Sequence, residues 1–213
     1  MMRVQFCTSE LLRDLKVNPL VVDGTLVVMP FIDAEQAHQA TQLMASRAGV
    51  DGLILAVLDV ERVGFVALIN AVFLHSKSTY FVYVAQDAFA GRYWLQLGIA
   101  ALGSDKHFLG FNDGKWAGAM ASFGLVKRAW AQKNYSGELF HPQYQRHYAD
   151  AELTLLAMNE SCYAYDPNSV LIEVDWGKDG NAVYPADRQC FLARQASGFE
   201  GRIQNAALLN FIR

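Results

Sequence analysis

The chain reads as a single α/β domain built on a parallel sheet, and three observations carry that reading. Three apolar runs, Thr25–Met29, Gly52–Leu58 and Tyr80–Ala85, hold no internal charge and have the length of buried strands. Two helix-length segments, Ala34–Ala48 and Gly64–His75, separate them. Each run is followed by an acid: Asp33, Asp59 and Asp87. Strand, helix, strand, helix, strand at this spacing predicts parallel pairing with right-handed crossovers. Such a sheet brings the three acids to one edge, where open α/β sheets place ligand chemistry.

The composition agrees with a packed domain. The chain has 213 residues, 53% hydrophobic and 18% charged, enough apolar material for a sizeable core. It is read as one domain over 1–213, with residues 1–24 and 177–213 as extensions. Lys and Arg are scattered and the net charge is −3, so no footprint for nucleic acid is present. Cys7, Cys162 and Cys190 lie far apart, which argues against a disulfide framework and for a reducing, cytoplasmic setting. No apolar run is long enough to span a bilayer, and the N-terminus carries charges where a signal peptide needs apolar residues.

In order, Ser9 is expected to cap a short helix, Glu10–Lys16, that ends at Asn18-Pro19. Asp23-Gly24 turns the chain into the first strand, which Pro30 ends. Asp33 is the expected N-cap of the next helix, which closes at Gly49. Past the third strand, Tyr93–Leu102 reads as helical, 106–118 as a loop containing FNDGKW, and Ala117–Lys133 as a helix with its basic residues in the C-terminal half. Tyr135–His147 has no clear period. Ala149–Met158 reads as an amphipathic helix, Tyr163–Asp166 and Val170–Val174 as strands, and Arg188–Arg213 as a helix broken at Gly198 and Gly201.

Six segments follow one another in a recognisable order: VVMPFID, LILAVLD, GFVALINAVF, YVAQDAFAGRYWL, HYADAELTLLA and YDPNSVLIEVD. Across about residues 25–176 this order resembles the GT-A nucleotide-sugar glycosyltransferases, in particular the large inverting, family-two-like group. The resemblance implies a one-domain, Rossmann-like mixed sheet with helices on both faces. It also implies a Mn²⁺ or Mg²⁺ ion, a nucleotide-diphosphate sugar as donor and a glycan or lipid-linked acceptor. Pro30 and Asp33 match the place where the first strand meets the nucleotide. Asp59 matches the acid that receives the base or ribose. Asn70, in ALIN, matches the asparagine of the family's ARN pattern. Asp87 matches the last acid of the DxD motif, and Asp150 matches the catalytic base of the ED pair.

Three positions depart from the pattern. Ala85 occupies the first DxD position, Ala149 stands before the base, and the family's late histidine is absent, with Glu173 and Asp175 nearby as alternative oxygen ligands. The chemistry is coherent with these residues. A diphosphate leaving group needs its charge neutralised, which one or two carboxylates and a divalent ion do. An inverting transfer needs a base beside the acceptor hydroxyl. At the start of its helix Asp150 is expected to be held ionised by the helix dipole. The expectation is therefore an inverting hexosyltransferase. The alternative is an inactive GT-A-like protein or a small sugar- or nucleotide-binding module, and the composition leaves a homo-oligomer open.

Several of these residues have plainer readings. Asp59 serves equally well as a helix cap. A buried Asn70 needs a hydrogen-bond partner, which a neighbouring loop can supply. Glu152 is expected to face solvent or join a salt bridge. Trp116 and Tyr144 are candidates for stacking on an acceptor sugar, with plain packing as the simpler role. His141, His147 and Asp150 do not have the spacing of a closed zinc site. No Gly-x-Ser-x-Gly elbow, GxGxxG or P-loop is present.

Overall fold

The computed structural model describes residues 2–174 and 183–212. Strand β1 (Met2–Thr8) leads into α1 (Leu11–Leu15), the short β2 (Leu20–Val21), β3 (Thr25–Phe31), α2 (Ala34–Arg47), β4 (Gly52–Leu58) and α3 (Phe65–Leu74). Then come β5 (Ser76–Lys77), β6 (Tyr80–Tyr83), β7 (Ala88–Ala90), α4 (Trp94–Leu102), β8 (Phe108–Asn112), β9 (Gly124–Lys127) and α5 (Arg128–Ala131). The described chain closes with α6 (Ala149–Asn159), β10 (Tyr163–Glu173), α7 (Pro185–Ala196), α8 (Gly198–Gly201) and α9 (Ala206–Leu209).

Eight strands form one mixed sheet in the order β1-β4-β3-β6-β9-β8-β10-β7. The three anticipated strands sit side by side and parallel, with β3 between β4 and β6. β9 runs antiparallel to both β6 and β8, and β7 runs antiparallel to β10.

Period-2 alternation divides the core between the two faces of the sheet. Leu26, Val28, Leu53, Leu55, Val57, Phe81 and Tyr83 point to one side, where α3, α6 and α7 cover them. Val27, Met29, Ile54, Ala56, Val82 and Val84 point to the other, against α2 and α4. Strands buried on both faces explain the uninterrupted apolar runs.

Five segments differ from their sequence reading. Residues 2–8 form an edge strand, parallel to β4, whose middle is exposed, so its apolar signal is weak. Ser9 does not cap α1; its hydroxyl accepts from the Glu61 amide at 3.3 Å. The stretch 106–118 contains strand β8, and 117–133 is not one helix but a turn, strand β9 and the short α5. Gly124 shows why strand wins there. A Cβ at that position would lie 2.5 Å from the Phe108 ring and 2.6 Å from the Tyr83 hydroxyl, so β9 approaches these two side chains this closely only with glycine there. Finally, Tyr163–Glu173 is a single strand whose register against β8 shifts between Tyr165 and Val170, at the DPN step.

Candidate active site

Parallel pairing brings the ends of β3, β4 and β6 to one rim. Asp33 caps α2 as anticipated, accepting from the amides of Glu35 at 3.0 Å and Gln36 at 3.1 Å. Gln86 latches the same turn: its Oε1 accepts from the Ile32 and Asp33 amides, and its Nε2 donates to Gln36. Asp59 accepts from the amides of Val63 at 2.9 Å and Gly64 at 3.0 Å, fixing the entry to α3. Asp87 is buried, and its carbonyl accepts from the Val174 amide at 2.9 Å. A cleft of about 510 Å³ opens here, lined by Gln36, Leu43, Gln86, Asp87, Phe89 and Val174 among others. Of the strand-end acids Asp87 lines it, whereas Asp33 and Asp59 do not, and neither does Pro30.

A second group of acids stands at the ends of β8 and β10 and the start of α6. Asp113 is buried and accepts from the amides of Lys115 and Trp116 and from the Ser122 hydroxyl. Its carbonyl accepts from the Glu173 amide at 3.2 Å. Glu173 Oε2 lies 3.3 Å from Lys115 Nζ. Asp150, in the first turn of α6, keeps an accessible edge, yet protein atoms crowd its carboxyl. Burial pushes its pKa up to about 7; the amides of Ala151 and Asp150 itself oppose this, and the charges of Glu173 and Asp113 add to it. The first-turn amides favour the ionised form, as the helix dipole does, but burial works against them and leaves the carboxyl titrating near neutrality. Asp150 is not the cap, because Tyr148 holds that position with a left-handed backbone.

Other sequence candidates sit elsewhere. Asn70 forms a reciprocal pair with the Phe140 backbone, donating to its carbonyl at 2.8 Å and accepting from its amide at 2.9 Å. Its amide thus braces a loop, and it lines a separate cavity with Lys16 and Glu138. Pro30 remains within β3, opposite Val57. Glu152 does not face solvent; it is 1% exposed and paired with Arg194. Tyr144 is buried in the core, donating to Glu152, while Trp116 stands half open on the Asp113 loop. Asp175 lies outside the described residues. Among the described residues, no group of three or more His, Cys, Asp and Glu side chains is placed to hold a metal ion.

No protein-family model and no curated protein matches the chain. Solved structures do. A mannosyltransferase from Pyrobaculum calidifontis, in complex with GDP-mannose and Mn²⁺, superposes with a TM-score of 0.62 at 13% identity, over 90% of this chain and 70% of that one. A Drosophila beta-1,4-galactosyltransferase 7 variant, solved with manganese, UDP-galactose and xylobiose, gives 0.55 at 16% identity, over 88% and 84%. Glucosyl-3-phosphoglycerate synthase from Mycobacterium tuberculosis, with Mg²⁺ and UDP, gives 0.52 at 12% identity, over 97% and 88%. The chain has the GT-A fold.

Within this GT-A domain the sequence reading missed one acid. Asp113 belongs to the rim as much as Asp87 does, since it too follows a buried strand. The signal is an acid two residues after the run FLGF, but within a stretch as rich in turn formers as FNDGKW it reads as part of a loop. The other missed participants, Asp187 and Arg194, lie in the C-terminal helix and carry no local signature.

Proposed function

We propose that the protein is a nucleotide-sugar-dependent glycosyltransferase, of inverting, hexosyl-transferring type, acting on a glycan or lipid-linked acceptor. The observation that carries this reading is Asp87 lining an open cleft at the end of β6 in a GT-A sheet, with a second group of acids at the ends of β8 and β10 whose charges, those of Asp113 and Glu173, act on Asp150. The structural neighbours, solved with nucleotide sugars or UDP and with Mn²⁺ or Mg²⁺, support the same donor chemistry.

The described residues offer no protein cage for a metal. A Mg²⁺ or Mn²⁺ ion bound with substrate phosphates needs only one or two carboxylates, and Asp87 fits that demand. Such an ion, when bound, neutralises charge on the departing diphosphate. Glu173, ion-paired with Lys115, is the weaker candidate ligand. Gln86 holds the β3–α2 turn and Asp59 the turn before α3; in this reading the nucleotide lies beside these turns, with Pro30, Asp33, Asp59 and Asn70 supporting the rim from outside the cleft.

Asp150 acts as the base. Its carboxylate takes the proton of the acceptor hydroxyl as that oxygen forms a bond to the anomeric carbon. The bond from that carbon to the diphosphate oxygen breaks, and the electron pair leaves with the diphosphate. A pKa near 7 makes Asp150 a stronger base than an ordinary aspartate while leaving a large ionised fraction at neutral pH.

Titrating a panel of UDP-, GDP- and dTDP-sugars with Mn²⁺, followed by assay for released nucleotide with candidate acceptors, tests the proposal. Binding of one donor class with acceptor-dependent release of its nucleoside diphosphate is expected. Failure of every nucleotide to bind would contradict it.

A further inference from the structure

Helix α7 presents a stripe of three buried side chains to the segment that leads into α6 and to its first turn. Asp187, Phe191 and Arg194 lie at i, i+4 and i+7, on one face of the helix. Their partners run in the same order along the segment leading into α6. Asp187 Oδ1 accepts from the Gln145 amide at 2.9 Å, and its Oδ2 from the amides of Arg146 at 2.8 Å and His147 at 2.9 Å. The Phe191 ring stacks on Tyr148, with centroids 4.9 Å apart. Arg194 grips Glu152 through two hydrogen bonds of 2.7 Å. Asp150 sits between the second and third of these grips.

We propose that α7 is a positioning device for Asp150, with Asp187 as its decisive residue. The proposal rests on the glycosyl-transfer reading above. An acid in the first turn of a helix ordinarily serves the free amides of its own helix. The hydrogen bonds of the Asp187 carboxylate go instead to three consecutive amides of another segment, and the residue is 1% exposed. Three amides aimed at one carboxylate form a charge-assisted nest. The segment needs such a hold, because Tyr148 adopts φ 66°, a left-handed conformation that a bulky residue keeps only when its surroundings impose it.

Two further contacts complete the seat. The Gln145 carbonyl accepts from the Val66 amide at 3.1 Å, and His147 Nδ1 accepts from the Tyr184 amide at 3.2 Å. Through Val66 the segment also touches the turn that Asp59 holds. Asp187 makes no contact with the reacting atoms; it sets where the base stands, and displacement of a base by about 1 Å is enough to cost up to about 100-fold in rate.

Three measurements on the full chain test this. In the wild type, hydrogen exchange should show the amides of Gln145, Arg146 and His147 as protected as those of α7; exchange at open-loop rates overturns the proposal without any variant. In Asp187→Asn, faster exchange at those amides should accompany a fall in kcat of about 10- to 100-fold, with KM for the donor within about 2-fold. An unchanged kcat, set beside an inactive Asp150→Asn, overturns the clamp alone. Full turnover by Asp150→Asn overturns the base assignment and this proposal with it. Should Asp187→Asn fail to fold, Phe191→Leu removes the Tyr148 stack and keeps an apolar side chain. A fall in its kcat of several-fold at unchanged KM supports the device, and an unchanged kcat overturns it.

Discussion

Arg194 meets Glu152 through two parallel hydrogen bonds, Nε to Oε2 and Nη2 to Oε1, each 2.7 Å. The hydroxyls of Tyr135 and Tyr144 also donate to that carboxylate, at 2.6 and 2.7 Å, so the buried charge is fully engaged. Removing one partner strands the other in a low-dielectric site. Arg194→Met is therefore expected to lower stability by about 3–5 kcal/mol. Adding Glu152→Gln to it should recover part of that loss, because the stranded charge is gone. Urea denaturation of the two variants checks this; a loss under about 1 kcal/mol for Arg194→Met would mean the pair does not form in solution.

The pH dependence follows from Asp150. Its folded pKa, about 7, stands above its ordinary value of 3.8. A carboxyl shifted this way favours the folded state most when protonated, so its contribution is complete below the ordinary value and is lost as pH rises through about 7. Relative to Asp150→Asn, the wild type should lose melting temperature between pH 4 and pH 8. Catalysis runs the other way, since the base must be ionised: kcat/KM should rise through about pH 7 and level off above it. A profile flat from pH 5 to 8 would assign the base elsewhere.

Asp87 is the residue expected to link metal and donor. Calorimetry should show a nucleoside diphosphate binding more tightly with Mn²⁺ than with chelator. Asp87→Ala should abolish most of that difference while leaving metal-free affinity in place. Equal affinity with and without metal in the wild type would mean that Ala85, in place of a second acid, has removed the cation's role.

Gly124 offers a test of the packing that separates β6 from β8. Gly124→Ala drives a methyl group into Phe108 and Tyr83, and overpacking of this kind costs about 1–3 kcal/mol. Its melting temperature should fall by several degrees; an unchanged melting temperature would mean that β9 does not pack this closely against Tyr83 and Phe108 in solution.

The sequence made the centre of the fold legible because β3, β4 and β6 are buried on both faces and α2 carries a side-chain cap at Asp33. It made β9 illegible because Gly124 weakens any strand pattern and its neighbours mimic a helical period. The acids of the site divided on similar lines. Asp87 and Asp150 stood in motifs whose order could be compared with a family. Asn70 stood in one too, yet its amide is engaged by the Phe140 backbone, a contact 70 residues away along the chain. For Glu152 the salt-bridge alternative holds, but helical spacing says nothing of the second helix, α7, that covers it and supplies Arg194. Asp187 had no local pattern at all; its role exists only through tertiary contacts with 145–147.

The most direct measurement compares sugar transfer by the wild type and Asp150→Asn, with a working donor at pH 8. Asparagine is close to aspartate in shape and is not titratable, so folding and donor affinity should hold. The account predicts a fall in kcat of about 100- to 10,000-fold, the range for a lost general base. Equal turnover in the two proteins would contradict it.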